Sequence, residues 1–80
     1  MAYEARQVVE GEVDVTVGGR TVRVLLPAGV GVPGAGDTEV AAALVAELVE
    51  RGEEPAEVVD LSQLLAADPG LVAAVARRAR

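Results

Sequence analysis

Residues 12–25 constrain this chain more than any other stretch. Glu12-Val13-Asp14-Val15-Thr16-Val17 alternates apolar and polar side chains, and Arg20-Thr21-Val22-Arg23-Val24-Leu25 alternates again after Gly18-Gly19. A period of two is the pattern of a strand with one face buried, and a Gly-Gly pair tolerates the positive φ angles of a two-residue hairpin turn. A turn of that length fixes the register: Val17 opposite Arg20, Thr16 opposite Thr21, Val15 opposite Val22, Asp14 opposite Arg23 and Val13 opposite Val24. One face then carries Val13, Val15, Val22 and Val24, and the other a Thr pair and an Asp–Arg pair.

Two strands do not hold by themselves in water, so the Val face must pack on helices or on a second copy of the chain. Composition makes this demand acute. The chain has 80 residues, and hydrophobic residues make up 51% of it, yet aromatic residues only 1%. Val, Leu and Ala must therefore fill the core, with less gained per side chain than from Phe or Trp. A domain this short buries only about 60–65% of its unfolded surface, and without cysteine no disulfide can supplement the core. A mean hydropathy of +0.35 beside a net charge of -6 leaves a surplus of apolar surface. Association with a second copy or a partner is the expected outlet.

The remaining elements follow from punctuation. Residues 27–36, Pro-Ala-Gly-Val-Gly-Val-Pro-Gly-Ala-Gly, lack charge and side-chain hydrogen-bonding groups and read as a loop or arm, with Val30 and Val32 its only sizeable side chains. Asp37-Thr38-Glu39 reads as a helix start with Asp37 as the cap. Val40, Ala43, Leu44 and Leu48 give helical spacing, Glu47 and Arg51 an i,i+4 pair, and Gly52 a stop. Residues 53–67 are open to two readings. Either Pro55 starts a helix, or residues 57–59 form a short strand followed by a helix that Asp60 caps, with Gln63 completing a capping box. The second is preferred, since a returning strand would extend the hairpin to a sheet of three. Asp68 and Pro69 open a last helix with Leu71, Val72 and Val75 as its stripe and Arg77, Arg78 and Arg80 at its end. The expected fold class is therefore α+β. It is a β-hairpin, or a three-stranded sheet, packed against two or three Ala/Val/Leu-rich helices. A single small domain spans residues 1–80, with the hairpin in residues 7–26, the loop in 27–36 and the helical part in 37–80.

Much chemistry is excluded by what the chain lacks. His, Cys, Lys, Trp, Phe, Ile and Asn are all absent, and all seven basic residues are Arg; a genome rich in G and C would produce part of that bias. The hydroxyls of Tyr3, Thr16, Thr21, Thr38 and Ser62 have no His or Lys base in the chain to activate them. Asp60-Leu61-Ser62 inverts the Asp-Ser-Leu order of a carrier-protein attachment serine. The glycines at 29, 31, 34 and 36 trace the outline of a dinucleotide-binding turn. Pro33 interrupts that outline, however, and Asp37 and Glu39 put negative charge where phosphates would sit. From Asp37 to Asp68 nine acids face one Arg, a local charge of -8, but the spacing lacks the ligand pattern of a calcium loop, and a solvated surface explains it. The C-terminal arginines have no interleaved aromatics for base stacking, and the net charge opposes phosphate backbones.

The expectation is a non-catalytic structural or assembly protein, not an enzyme, without metal or other cofactor or small-molecule substrate. It would self-associate or dock on a larger assembly, such as a phage virion or a protein shell, through Val13, Val15, Val22, Val24, Val30 and Val32. The competing expectation is an acidic regulatory adaptor whose residues 47–60 dock on a basic protein. Nucleic acid and membrane are not expected partners. With no apolar run near the roughly 18 residues of a membrane span and no signal-peptide layout, the expected location is cytoplasmic or virion-associated.

Overall fold

A computed structural model describes residues 3–27 and 34–79. Its elements run β1 (Tyr3–Val9), β2 (Glu12–Val17), β3 (Arg20–Leu25), α1 (Asp37–Glu50), β4 (Val58–Asp60), α2 (Leu61–Ala67) and α3 (Pro69–Ala79). The four strands form one mixed sheet in the order β1-β2-β3-β4, antiparallel except for the parallel β3–β4 pair. The class is α+β, as the sequence predicts, with a fourth strand added.

The β2–β3 register is the one dictated by the two-residue turn, from Val17 opposite Arg20 to Val13 opposite Val24. Gly18 and Gly19 have φ angles of 57° and 80°, both in the region a type I′ turn requires and that a side chain would disfavour. On the outer face the Thr16 and Thr21 hydroxyls lie 3.2 Å apart, and Arg23 Nε donates to Asp14 Oδ1 at 3.0 Å.

β1 is the strand that sequence patterning misses. Its inward positions, Tyr3, Ala5 and Gln7, include no β-branched residue, so its alternation is faint. The signal that marks it is the Glu10-Gly11 turn between two runs. Gly11 has φ 80°, and a Cβ there would stand 3.0 Å from the Leu26 carbonyl oxygen, so the tight return into β2 needs glycine. Tyr3 and Ala5 pack against the edge of the core.

The Val face is covered from within the chain. α1 crosses from β3 to β4 and packs on β1 and β2 while α3 packs along α1. Fourteen residues make a helix about 21 Å long, and a six-residue strand is about 20 Å long, so one helix spans the full strand length. Val13, Val15, Val22 and Val24 are 0–1% exposed, as are Val40, Ala41, Leu44 and Val45 of α1 and Val75 of α3. Among the described residues no polar or charged side chain is buried, so the core is aliphatic throughout.

Local chemistry sets the helix ends. Gly36, not Asp37, is the N-cap of α1. Its N–H donates to Glu39 Oε1 at 3.3 Å, while Asp37 sits one position inside, where it accepts a bond from Gln7 Nε2 at 3.2 Å and ties α1 to β1. The helix ends in a Schellman motif: Gly52, at φ 77°, donates to the Val49 carbonyl, and Glu53 donates to that of Leu48, each at 3.0 Å. Residues 53–67 adopt the strand-then-helix reading, with β4 at Val58–Asp60. Asp60 caps α2 through the Ser62 N–H at 2.9 Å, and no bond from the Gln63 side chain closes a capping box among the described residues. Asp68 caps α3 through the Leu71 N–H at 3.0 Å, with Pro69 in the first position.

Leu44, fully enclosed between sheet and helix, tests this packing. Leu44→Ala should lower the unfolding free energy by about 3 kcal/mol, a large share of what a chain this short can hold. Urea denaturation followed by circular dichroism checks it; a loss below about 1 kcal/mol would mean that α1 does not cover the sheet as described.

Candidate interaction surface

The six valines singled out by sequence divide into two groups. Val13, Val15, Val22 and Val24 are core side chains beneath α1, so the sheet's apolar face is not open to a partner. The covering demanded by the hairpin is met by this chain's own helix rather than by a second copy. Val30 and Val32 lie outside the described residues.

Among the described residues, the fold leaves open the other face of the sheet and its two edges. Strand register sorts the outer face into rows: Glu4, Thr16 and Thr21; then Arg6, Asp14, Arg23 and Val58; then Glu12, Leu25 and Asp60. In the middle row charge alternates from strand to strand, and the hydrogen bond from Arg23 to Asp14 raises the guanidinium pKa above its ordinary value. Val58 is 55% exposed at the end of that row. The β4 edge is only three residues long, and Leu65 of α2 is also exposed. The β1 edge is seven residues long, pairs among the described residues with β2 on one side only, and ends in Val8 and Val9, which are 45% and 52% exposed.

A further feature of β1 follows from the hydrogen-bond phase. The Leu26 N–H donates to the Gly11 carbonyl at 2.7 Å. That bond assigns the odd-numbered residues of β2 to β3 and the even-numbered ones to β1, because antiparallel strands alternate the direction of their backbone groups. Glu4 and Arg6, opposite Thr16 and Asp14, therefore bond inward to β2. The N–H and C=O groups of Tyr3, Ala5 and Gln7 point out of the sheet along the free edge.

The acidic segment is largely engaged within the chain. Glu47 accepts from Arg51 and Arg78, Glu50 pairs with Arg78, and Glu54 accepts from Arg20 Nη1 at 2.5 Å. Asp60 accepts from both the N–H and the Oγ of Ser62. Among the described residues no three acids converge on a point where they could share a cation. At the start of α1, the Glu39 carboxylate already takes the Gly36 N–H, the kind of donor a phosphate would need. Shallow grooves lie under the hairpin turn, between Val17, Val22, Val49 and Pro55, and between Leu48, Val59 and Leu64. Among the described residues no helix is long and apolar enough to cross a membrane. Compared with protein families, curated proteins and solved structures, the chain matches none.

The Ser62 hydroxyl bond holds the Asp60 carboxyl below the ordinary carboxylate range, with smaller contributions in the same direction from the backbone N–H groups of Ser62 and Gln63. A carboxyl lowered in the folded state stabilises the fold above its unfolded pKa, and that contribution disappears as the pH falls through the folded value. Asp60→Asn keeps a capping oxygen but does not titrate. The stability gap between wild type and Asp60→Asn, read from urea midpoints, should therefore be widest near neutral pH and close in acid. A gap independent of pH would show that the charge on Asp60 contributes nothing.

Proposed function

We propose that this protein is a non-catalytic assembly component that works by associating with further copies of itself, in the manner of a subunit of a virion or a protein shell. The observation that carries the reading is the β1 edge: a seven-residue strand whose outward backbone groups have no partner among the described residues, with two exposed valines at its end. Exposed edges of this length are commonly shortened, bulged or covered in proteins that remain monomeric. The bulge here falls only at its far end, between Gln7 and Val9. A side-chain inventory without His, Cys or Lys supports a role in contact rather than in proton transfer or nucleophilic attack.

The adaptor reading draws less support. Of the six acids in residues 47–60, four are already matched to Arg20, Arg51, Arg78 or Ser62, and only Glu53 and Glu57 are left to attract a basic partner.

Light scattering during size-exclusion chromatography tests the proposal. A mass above that of the 8.1 kDa chain, rising with concentration and retained between about 0.05 and about 1 M salt, is expected, because screening acts mainly on exposed charges. A monomer at every concentration and both salts would overturn self-association.

A further inference from the structure

We infer that β1 pairs antiparallel with β1 of a second copy, with Ala5 opposite Ala5 on a two-fold axis, joining two four-stranded sheets into one of eight strands. The inference rests on the assembly reading above and specifies its surface, partner and register. Two independent features of β1 select that register. The outward backbone groups belong to Tyr3, Ala5 and Gln7, so a second strand must bond to these three. Centring the pair on Ala5 places Tyr3 opposite Gln7 and Gln7 opposite Tyr3, giving about six inter-chain backbone bonds in the ladder pattern. The same register sets Glu4 of each chain opposite Arg6 of the other, in the closely spaced positions where cross-strand side chains meet.

Alternative centres fail on charge. A pair centred on Glu4 puts two glutamates face to face, and one centred on Arg6 puts two arginines face to face. A centre at Gln7 leaves Arg6 opposite Val8 and loses both ion pairs. Only the Ala5 centre matches each charge with its opposite, so the backbone supplies the attraction and the Glu4/Arg6 couple supplies the register. On the helical side, a groove lies between α1, α3 and the start of β1, lined by Tyr3, Ala42, Ala43, Ala46 and Ala79 together with the charged Glu39 and Arg78.

Charge exchange tests the register. Glu4→Arg presents two arginines along the edge and Arg6→Glu two glutamates, so each variant alone should dimerise at least about tenfold more weakly than wild type, two matched cross-strand pairs having become two repulsive ones. Mixing the two variants restores both matches, and a heterodimer of near wild-type affinity should form. Rescue on mixing requires both chains to be folded, so a variant that fails to fold is not mistaken for support; circular dichroism of each checks the same point. Amide exchange by NMR gives a second readout. Protection of Tyr3, Ala5 and Gln7 should rise with concentration, whereas Glu4 and Arg6, already bonded to β2, should be protected at all concentrations. If wild type associates but neither variant weakens it, and the amides of Ala5 and Gln7 stay unprotected, edge pairing is wrong and the assembly reading stands on another surface. If wild type never associates, the assembly reading itself falls.

Discussion

Everything in this structure depends on the burial of one apolar face, the valines of the β2–β3 hairpin, beneath α1. A hairpin with Val13, Val15, Val22 and Val24 on one side is unstable in water until that side is covered, and the cover must be as long as the strands. α1 meets the requirement with a run of Val, Ala and Leu that is buried at Val40, Ala41, Ala43, Leu44, Val45, Ala46 and Leu48. Small side chains are what make this possible without aromatics. Alanines such as Ala41 and Ala43 are buried beside branched valines and leucines in the same cluster, and small side chains of this kind let a helix approach a sheet closely. The result is a core that buries no polar side chain and leaves no buried side-chain polar atom without a partner among the described residues.

Because helices cover one side only, the sheet is chemically two-faced. The inner positions of β2 and β3 are aliphatic, and the outer positions of the sheet carry Glu4, Arg6, Glu12, Asp14, Thr16, Thr21 and Arg23, with Asp14 bonded to Arg23 and Thr16 beside Thr21 across the strands. The arginines do much of the organising. Arg23 closes the outer face through Asp14, Arg20 ties the hairpin end to Glu54, and Arg78 joins α3 to Glu47 and Glu50 of α1. These pairs are exposed, and each adds at most about 1 kcal/mol. Their larger effect is on charge: they leave the acidic middle of the chain less available to an outside cation or basic partner than its composition suggests. Among the described residues, what stays unmatched is the outward backbone of β1.

Several features are legible in residue type and spacing alone. The hairpin register, the Thr16–Thr21 and Asp14–Arg23 pairs, the Gly52 stop and the Asp60 and Asp68 caps are local consequences of the sequence, and the structure reproduces them. α1 starts one residue earlier than its acidic signal suggests, because Gly36 can cap with backbone groups alone while Glu39 reaches back to it. β1 is hidden in the sequence because strand recognition relies on β-branched inward residues, and Tyr3, Ala5 and Gln7 are not. What covers the valine face is hidden from sequence for a related reason. An apolar face predicts that something must cover it, but hydrophobicity has no direction and does not say whether the cover is the same chain or another.

The sequence by itself determined the pieces: which residues alternate, where the chain turns, and where helices begin and end. These are short-range properties, fixed by backbone sterics and by bonds spanning a few residues. Only the tertiary structure decided that α1 spends its apolar surface on the Val face, that Tyr3–Val9 joins the sheet, and that β1 is left at its edge with the backbone groups of Tyr3, Ala5 and Gln7 turned outward. Those outcomes depend on contacts between residues far apart in the chain, where packing volume and hydrogen-bond phase choose among arrangements that the local sequence permits equally.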